Sequence, residues 1–83
     1  MNPVQAKART RALLNVIETV YELKIANLEA IIEAITEQTL DENKILTICT
    51  GLNTWVAQNA ALGGVVEIPR EVVIGLAEKI VNV

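Results

Sequence analysis

The side chains that could do chemistry in this chain are one thiol, Cys49, and a group of carboxylates in its first half. A thiol becomes a good nucleophile when a neighbouring base or cation stabilises the thiolate. The chain has no His, and no Lys or Arg stands between Lys44 and Arg70. Cys49 also falls on the apolar side of a predicted helix. We therefore interpret it as a small buried packing residue rather than a reactive thiol.

The carboxylates recur at helical spacing, and they could be imagined as metal ligands or as an acid and base pair. They share one narrow face of a helix and are Glu18, Glu22, Glu29, Glu33 and Glu37. Because no His accompanies them and this face is the most polar one, we interpret it as a solvated surface. The chain also lacks a phosphate-binding glycine loop and a metalloprotease motif. We expect no enzymatic activity, no cofactor and no metal site.

Composition limits the remaining classes of function. The 83 residues include 10 acidic and 7 basic side chains, a net charge of -3, and 52% hydrophobic residues. Positions 1–83 are thus expected to form one small domain with an aliphatic core. A lone Cys fits a reducing, cytoplasmic interior, and the start of the chain has no secretory signal pattern. Small phage or bacterial accessory proteins are similar in composition.

One stretch is long enough to cross a bilayer, because residues 45–66 carry no charge. However, Asn53, Gln58 and Asn59 lie inside it, and each amide would be costly to leave unpaired in hydrocarbon. Burial in protein is the better interpretation. We expect no membrane segment.

Nucleic-acid binding would depend on Lys7, Arg9 and Arg11, because the rest of the chain is net acidic. Three charges make a small footprint, and only Tyr21 and Trp55 could stack on bases. Weak binding of nucleic acid through this basic turn is the third of three hypotheses.

Helix signals begin at Asn2 and Pro3, a capping residue followed by a first-turn proline. No Gly or Pro then occurs before Gly51, and apolar residues recur at steps of three, four and seven. The pattern predicts one amphipathic helix over 3–38. Its apolar residues spread over about 200° of the helix surface, roughly twice what one neighbour needs. We interpret this width as two packing partners, one within the chain and one outside it.

The length of this helix raises a problem of size. It would measure about 54 Å, whereas a compact chain of this length has a radius of gyration of about 12 Å. Either the helix breaks, with Asn15 and Asn27 as the weak points, or another subunit covers its surplus apolar surface.

Two shorter helices are predicted in the second half of the chain. Thr39 and Glu42 match a capping box, which predicts a helix over 40–62 that a Gly-Gly pair ends. Pro69 predicts the start of a third helix over 69–81. The expected fold is all-α, a long N-terminal helix packed with two shorter helices and assembled as a homo-oligomeric bundle.

The order of charges along the first helix also favours an oligomer. Basic residues cluster at its N-terminal end and acidic ones toward its C-terminal end, both opposed to the helix dipole. Antiparallel pairing of two copies would set Lys7 near Glu33 and Arg11 near Glu29 of the other copy. The same register brings like charges together near the crossing point. A merely solubilising face is the alternative, and both stay open.

Two main functional hypotheses follow. The first is a non-enzymatic, homo-oligomeric protein that works by binding another protein, as an adaptor, inhibitor or assembly factor. Its predicted interface residues are Leu14, Ile17, Tyr21, Ile25, Leu28, Ile32, Thr47, Gly51 and Thr54. Gly51 is expected at a close contact with another helix, because small uncharged residues flank it at helical spacing. The second is a binder of a small polar or anionic molecule in a pocket between subunits. Its predicted ligand-binding residues are Lys7, Arg9, Arg11, Thr50 and Gln58.

Overall fold

The computed structural model describes residues 1–81, and positions 82 and 83 of the predicted domain lie outside it. The described residues form four helices and two strands of two residues each. In chain order the elements are α1 (Pro3–Tyr21), β1 (Lys24–Ile25), α2 (Leu28–Gln38), α3 (Glu42–Asn59), β2 (Val65–Val66) and α4 (Arg70–Val81). The mostly helical class is as predicted, and α4 matches the helix predicted over 69–81, whereas the number of helices and the bounds of the other two predicted helices differ.

The chain runs twice through the same order of helix, short strand and helix. The two strands pair in parallel, with Lys24 opposite Val65 and Ile25 opposite Val66. α1 packs on α3, α2 packs on α4, and the two helices of each half also pack on each other. The wide apolar surface predicted for the first helix therefore finds its neighbours within the same chain.

The predicted single helix over 3–38 is wrong, because the chain turns at Glu22. This residue adopts the left-handed conformation, with φ 51° and ψ 45°, and its backbone N–H donates to the carbonyl of Glu18. The break extends to Asn27, one of the two weak points predicted, while Asn15 lies inside α1. The radius of gyration is 11.8 Å, so the size mismatch that favoured an oligomer disappears.

Hydrogen bonds hold the linker between α1 and α2 in an extended path. The carboxylate of Glu18 accepts from the backbone N–H of Ile25 at 2.9 Å. The backbone N–H groups of Lys24 and Ala26 donate across to the second half of the chain, at 3.0 and 2.8 Å. The linker thus replaces helical hydrogen bonds with bonds to distant residues.

Asn27 extends the pairing of the two strands with its side chain. Its Nδ2 donates to the carbonyl of Ile68 at 2.7 Å, and its Oδ1 accepts from the N–H of Ile68 at 3.0 Å. Ile68 is fully buried, so both of its backbone groups depend on this amide instead of water. The side chain of Asn27 therefore links the first half of the chain to the second through two hydrogen bonds.

The turn also brings the charges of the two helices together. Lys7 Nζ lies 2.8 Å from Glu33 Oε1, and Arg11 donates to both oxygens of Glu29 at 2.5 and 2.7 Å. These are the pairs that the charge order predicts between two copies, but here they form within one chain. Glu29 also lies in the first turn of α2, where the helix dipole favours a negative charge.

Most of the residues predicted to form an oligomer interface belong to the core of the single chain. Leu14, Ile17, Ile25 and Ile32 are buried there. Tyr21 and Leu28 are partly buried and pack against the same core. Because their surfaces are already covered, these six side chains leave little for a partner to contact.

The helix ends show which capping signals in the sequence predicted a boundary correctly. Asn2 caps α1 in a reciprocal arrangement with Gln5, as the sequence indicates. At α3 the predicted capping box is wrong, because Asp41 is the capping residue and the hydroxyl of Thr39 accepts from the Asp41 N–H instead. α3 also ends at Asn59, three residues earlier than predicted.

Replacing Glu22 by glycine is expected to raise the free energy of unfolding by about 0.5 to 1 kcal/mol. Glycine has no Cβ to disfavour the left-handed conformation, although its more flexible unfolded state offsets part of the gain. Urea unfolding measures the change. Ala12→Gly, at an exposed position inside α1, is the control and should lose about 1 kcal/mol. Equal losses in both variants would contradict the assigned role of Glu22.

Candidate interaction surface

α3 has a groove on each side, and the outer surface between the grooves carries no charge from Leu46 to Gln58. The groove toward α1 is lined by Leu13, Val16 and Ile17 of α1 and by residues of α3 one to two turns apart. Those α3 residues are Leu46, Cys49, Thr50 and Asn53. None of the lining side chains of this groove is charged.

We call the exposed part of this region the neutral face, formed by Leu13, Val16, Val20, Leu46, Thr50 and Asn53. Val16 is 58% exposed, Leu46 is 45% exposed, and Val20, one turn after Val16, is 60% exposed. Single exposed aliphatic residues are normal on proteins, but neighbouring ones beside a groove with no charged lining side chain indicate a contact surface.

The sequence predicted only part of the neutral face. The uncharged run over 45–66 contains the α3 residues of this face, and the wide apolar surface predicted for the first helix contains the α1 residues. Which edge stays exposed depends on where α2 folds back, and that was not predicted.

The second groove lies between α3 and α4 and has a volume of about 420 Å³. From α3 it is lined by Gly51, Thr54, Trp55 and Gln58. An adjoining cavity, which also contacts Gly51, is lined by Thr47. Thr47, Gly51, Thr54 and Gln58 therefore lie along the same side of α3. The first three were predicted for an oligomer interface, and Gln58 was predicted for a ligand-binding site. Thr50 lines the other groove, so the predicted ligand-binding set is divided.

Gly51 marks a close helix contact, as predicted, and the neighbour is α4 of the same chain. A Cβ built at Gly51 would lie 2.5 Å from Cδ2 and 3.0 Å from Cδ1 of Leu76. The absence of a side chain at Gly51 is what lets Leu76 pack against the backbone of α3. The glycine is therefore explained without a second subunit.

The threonine hydroxyls of α3 have partners on their own helix. Thr47 donates to the carbonyl of Asn43 at 2.9 Å, and Thr50 donates to that of Leu46 at 2.8 Å. Thr54 makes a longer bond of 3.4 Å to the Thr50 carbonyl. Because these donors are satisfied by the backbone, they do not require a ligand.

Each basic residue proposed for an anion or nucleic acid already faces a carboxylate. Arg9 Nε lies 3.5 Å from Glu42 Oε1, in addition to the pairs of Lys7 and Arg11 described above. The hydrogen bond from Arg11, reinforced by its charge, lowers the pKa of Glu29. The positive charge at the start of α1 is thus largely neutralised by its own chain, which weakens attraction to phosphate.

Cys49 is buried between α1 and α3, as predicted for a packing residue. Burial raises the pKa of its thiol to about 12, while the charge of Arg9 acts weakly in the opposite direction. The thiol therefore stays protonated near neutral pH and is a poor nucleophile.

Native protein is expected to react with iodoacetamide far more slowly than unfolded protein at about pH 8. A pKa near 12 in place of 9.0 leaves about 1,000-fold less thiolate, and burial restricts access further. Mass spectrometry of samples with and without guanidinium measures the difference. Equal rates would show that Cys49 is accessible in the fold.

The same shift makes stability depend on pH. Between about pH 9 and 12 the unfolded chain has lost the Cys49 proton and the folded chain still holds it, so the free energy of unfolding falls as pH rises. The contribution is fully present below pH 9. A Cys49→Ala variant lacks this component, so its pH profile should be flatter in this range.

Within residues 1–81, no group of three or more Cys, Asp or Glu side chains is arranged to hold a metal ion. Among the helices described, none combines the length and the apolar character needed to cross a membrane. Comparisons with protein-family models, curated proteins and solved structures gave no match.

Proposed function

We propose that this chain is a non-enzymatic protein that acts by protein contact through the neutral face, with a second copy of itself as the first partner. The observation that supports the proposal is the exposure of Val16 and Leu46 in one uncharged groove between two helices, with Val20 exposed one turn after Val16. Burying aliphatic surface contributes about 25 cal/mol per Å², so covering this groove would be favourable.

The distribution of charge favours a second copy as the occupant. In a contact with twofold symmetry each residue faces the same surface of the other copy, so a charged surface would repel itself. The chain has a net charge of -3, yet the neutral face has no charge. The ion pairs of Lys7 and Arg11 lie on the side of α1 that faces α2, where solvent screens them. The Arg9–Glu42 pair links α1 to α3 one helical turn before Leu13 and Leu46, and its two charges offset each other. The neutral face is where two copies meet with least repulsion.

Sedimentation equilibrium of the whole chain tests this proposal. We expect a species heavier than 9.0 kDa at tens of micromolar and a Val16→Glu variant whose dissociation constant rises at least tenfold, because the new carboxylate would be desolvated at the contact. Val4→Glu introduces the same charge at another exposed position of α1 and should leave association unchanged. Circular dichroism checks that both variants keep their helices.

Wild-type protein that stays at 9.0 kDa up to hundreds of micromolar would refute self-association through this face. Equal weakening by both substitutions would show that added negative charge, rather than the neutral face, controls association.

The small-molecule and nucleic-acid hypotheses draw less support from the structure. The proposed hydroxyl donors are occupied by backbone carbonyls, and the three basic residues are occupied by carboxylates. A polar molecule that remains bound in native mass spectrometry of the wild type and is lost from a Thr50→Val, Thr54→Val variant would restore the small-molecule hypothesis.

A further inference from the structure

We propose that the chain has a second form, an intertwined dimer in which residues 3–38 become one helix and α2 of each copy packs on α1 of the other. The proposal is independent of the neutral face. It rests on the backbone of the linker between α1 and α2, and on the register of the ion pairs that join these helices.

The linker is held in a conformation that its own sequence does not favour. Among the non-glycine residues that the structure describes, Glu22 alone has a positive φ. Residues 22–27 read ELKIAN and contain no Gly or Pro, and Glu, Leu, Lys and Ala are good helix formers. Apolar residues continue through the linker at steps of seven, from Leu14 to Ile35. The segment is therefore compatible with a straight helix.

The register of the ion pairs fits a dimer as well as the folded chain, and in the dimer it also sets Glu18 near Glu22 of the other copy, a like-charge contact that opposes the exchange. Lys7 pairs with Glu33, and Arg11, four residues later, pairs with Glu29, four residues earlier. This antiparallel register centres on residue 20, which is also the middle of a helix over 3–38. Two straight helices in this register overlap along their whole length, and both ion pairs form twice between the copies. An exchange of α2 therefore preserves the ion pairs between α1 and α2.

The exchange has opposing effects on hydrogen bonding. The straight helix gains backbone bonds through the linker and releases Glu22 from its left-handed conformation. It loses the pairing of β1 with β2 and the two bonds between Asn27 and Ile68. Because the exchanged form needs two chains, high protein concentration during folding favours it.

The experiment uses Lys7→Cys and Glu33→Cys together in a Cys49→Ala chain, refolded from guanidinium at about 2 µM and about 500 µM. A short bismaleimide then links the two introduced thiols. The folded single chain gives a link within one chain, whereas the exchanged form gives covalent dimers on a denaturing gel. A dimer through the neutral face also gives links within one chain, so failure of that proposal is distinguished from failure of this one.

Hinge variants of the same chain give the decisive comparison. We expect covalent dimers at the high concentration only, and at least threefold more of them with Glu22→Ala, which favours a helix, than with Glu22→Gly, which favours the turn. Adding Asn27→Ala should raise the dimer fraction further. Links confined to single chains in all variants at both concentrations would overturn the proposal, as would equal dimer fractions in the Ala and Gly variants.

Discussion

An Asn27→Ala variant is expected to lose about 2 to 4 kcal/mol of its free energy of unfolding. The alanine removes both hydrogen bonds to Ile68, whose backbone N–H and carbonyl are buried and then have no protein partner. A buried polar group without a partner costs about 1 to 3 kcal/mol, and two are affected. Urea unfolding followed by circular dichroism measures the loss.

Asn15→Ala is the matched control, because Asn15 is exposed within α1 and alanine is the better helix former there. Its stability should equal that of the wild type or exceed it by a few tenths of a kcal/mol. Asn27→Asp retains one acceptor but sets a carboxylate near the Ile68 carbonyl, so it should also be destabilised. Similar stabilities for Asn27→Ala and Asn15→Ala would show that the amide does not join the two halves.

A Gly51→Leu variant is expected to lose about 1 to 3 kcal/mol. The space that a Cβ would occupy is already taken by the end of the Leu76 side chain, so a leucine there must displace α4 or force strained rotamers. Gly51→Ala should be much milder, because Leu76 is flexible at its end and alanine favours a helix by about 1 kcal/mol. Thermal unfolding of the wild type, Gly51→Leu and Gly51→Ala measures their relative stabilities.

Gly75 provides the matched control inside α4. A Cβ built at Gly75 has no other atom within 4 Å, so Gly75→Ala should raise stability by up to about 1 kcal/mol. A double variant combines Gly51→Leu with Leu76→Ala, which removes the Leu76 atoms that a side chain at position 51 would meet. The double variant should lose less than the two single losses added together. Strict additivity would mean that Gly51 and Leu76 do not constrain each other.

Local signals in the sequence were sufficient to predict the helical class and the surroundings of several individual residues. The cap at Asn2, the burial of Cys49 and the close contact at Gly51 are all confirmed. Each was predicted from residue types and their spacing within a few turns of one helix. The boundaries of α3 were less well predicted, because Thr39 and Asp41 compete for the same cap.

Charge order determined which residues pair, but it did not determine whether they belong to one chain or two. An antiparallel hairpin and an antiparallel dimer use the same register, so Lys7 meets Glu33 in either arrangement. Only the linker between α1 and α2 distinguishes them. For the same reason, six of the nine residues predicted for the oligomer interface pack in or against the core of a single chain.

Tertiary structure alone decided the turn at Glu22 and the neutral face. The linker has no Gly or Pro to signal a break, and its extended path depends on Ile68, 41 residues away from Asn27. Helical periodicity relates residues only within one helix, so it cannot predict contacts between residues this far apart in the sequence. Once α2 folds back and α3 covers one side of α1, the apolar residues left over on the remaining side, Val16 and Val20, become surface. The sequence by itself determined which faces are apolar, and the packing of four helices determined which of those faces stays exposed.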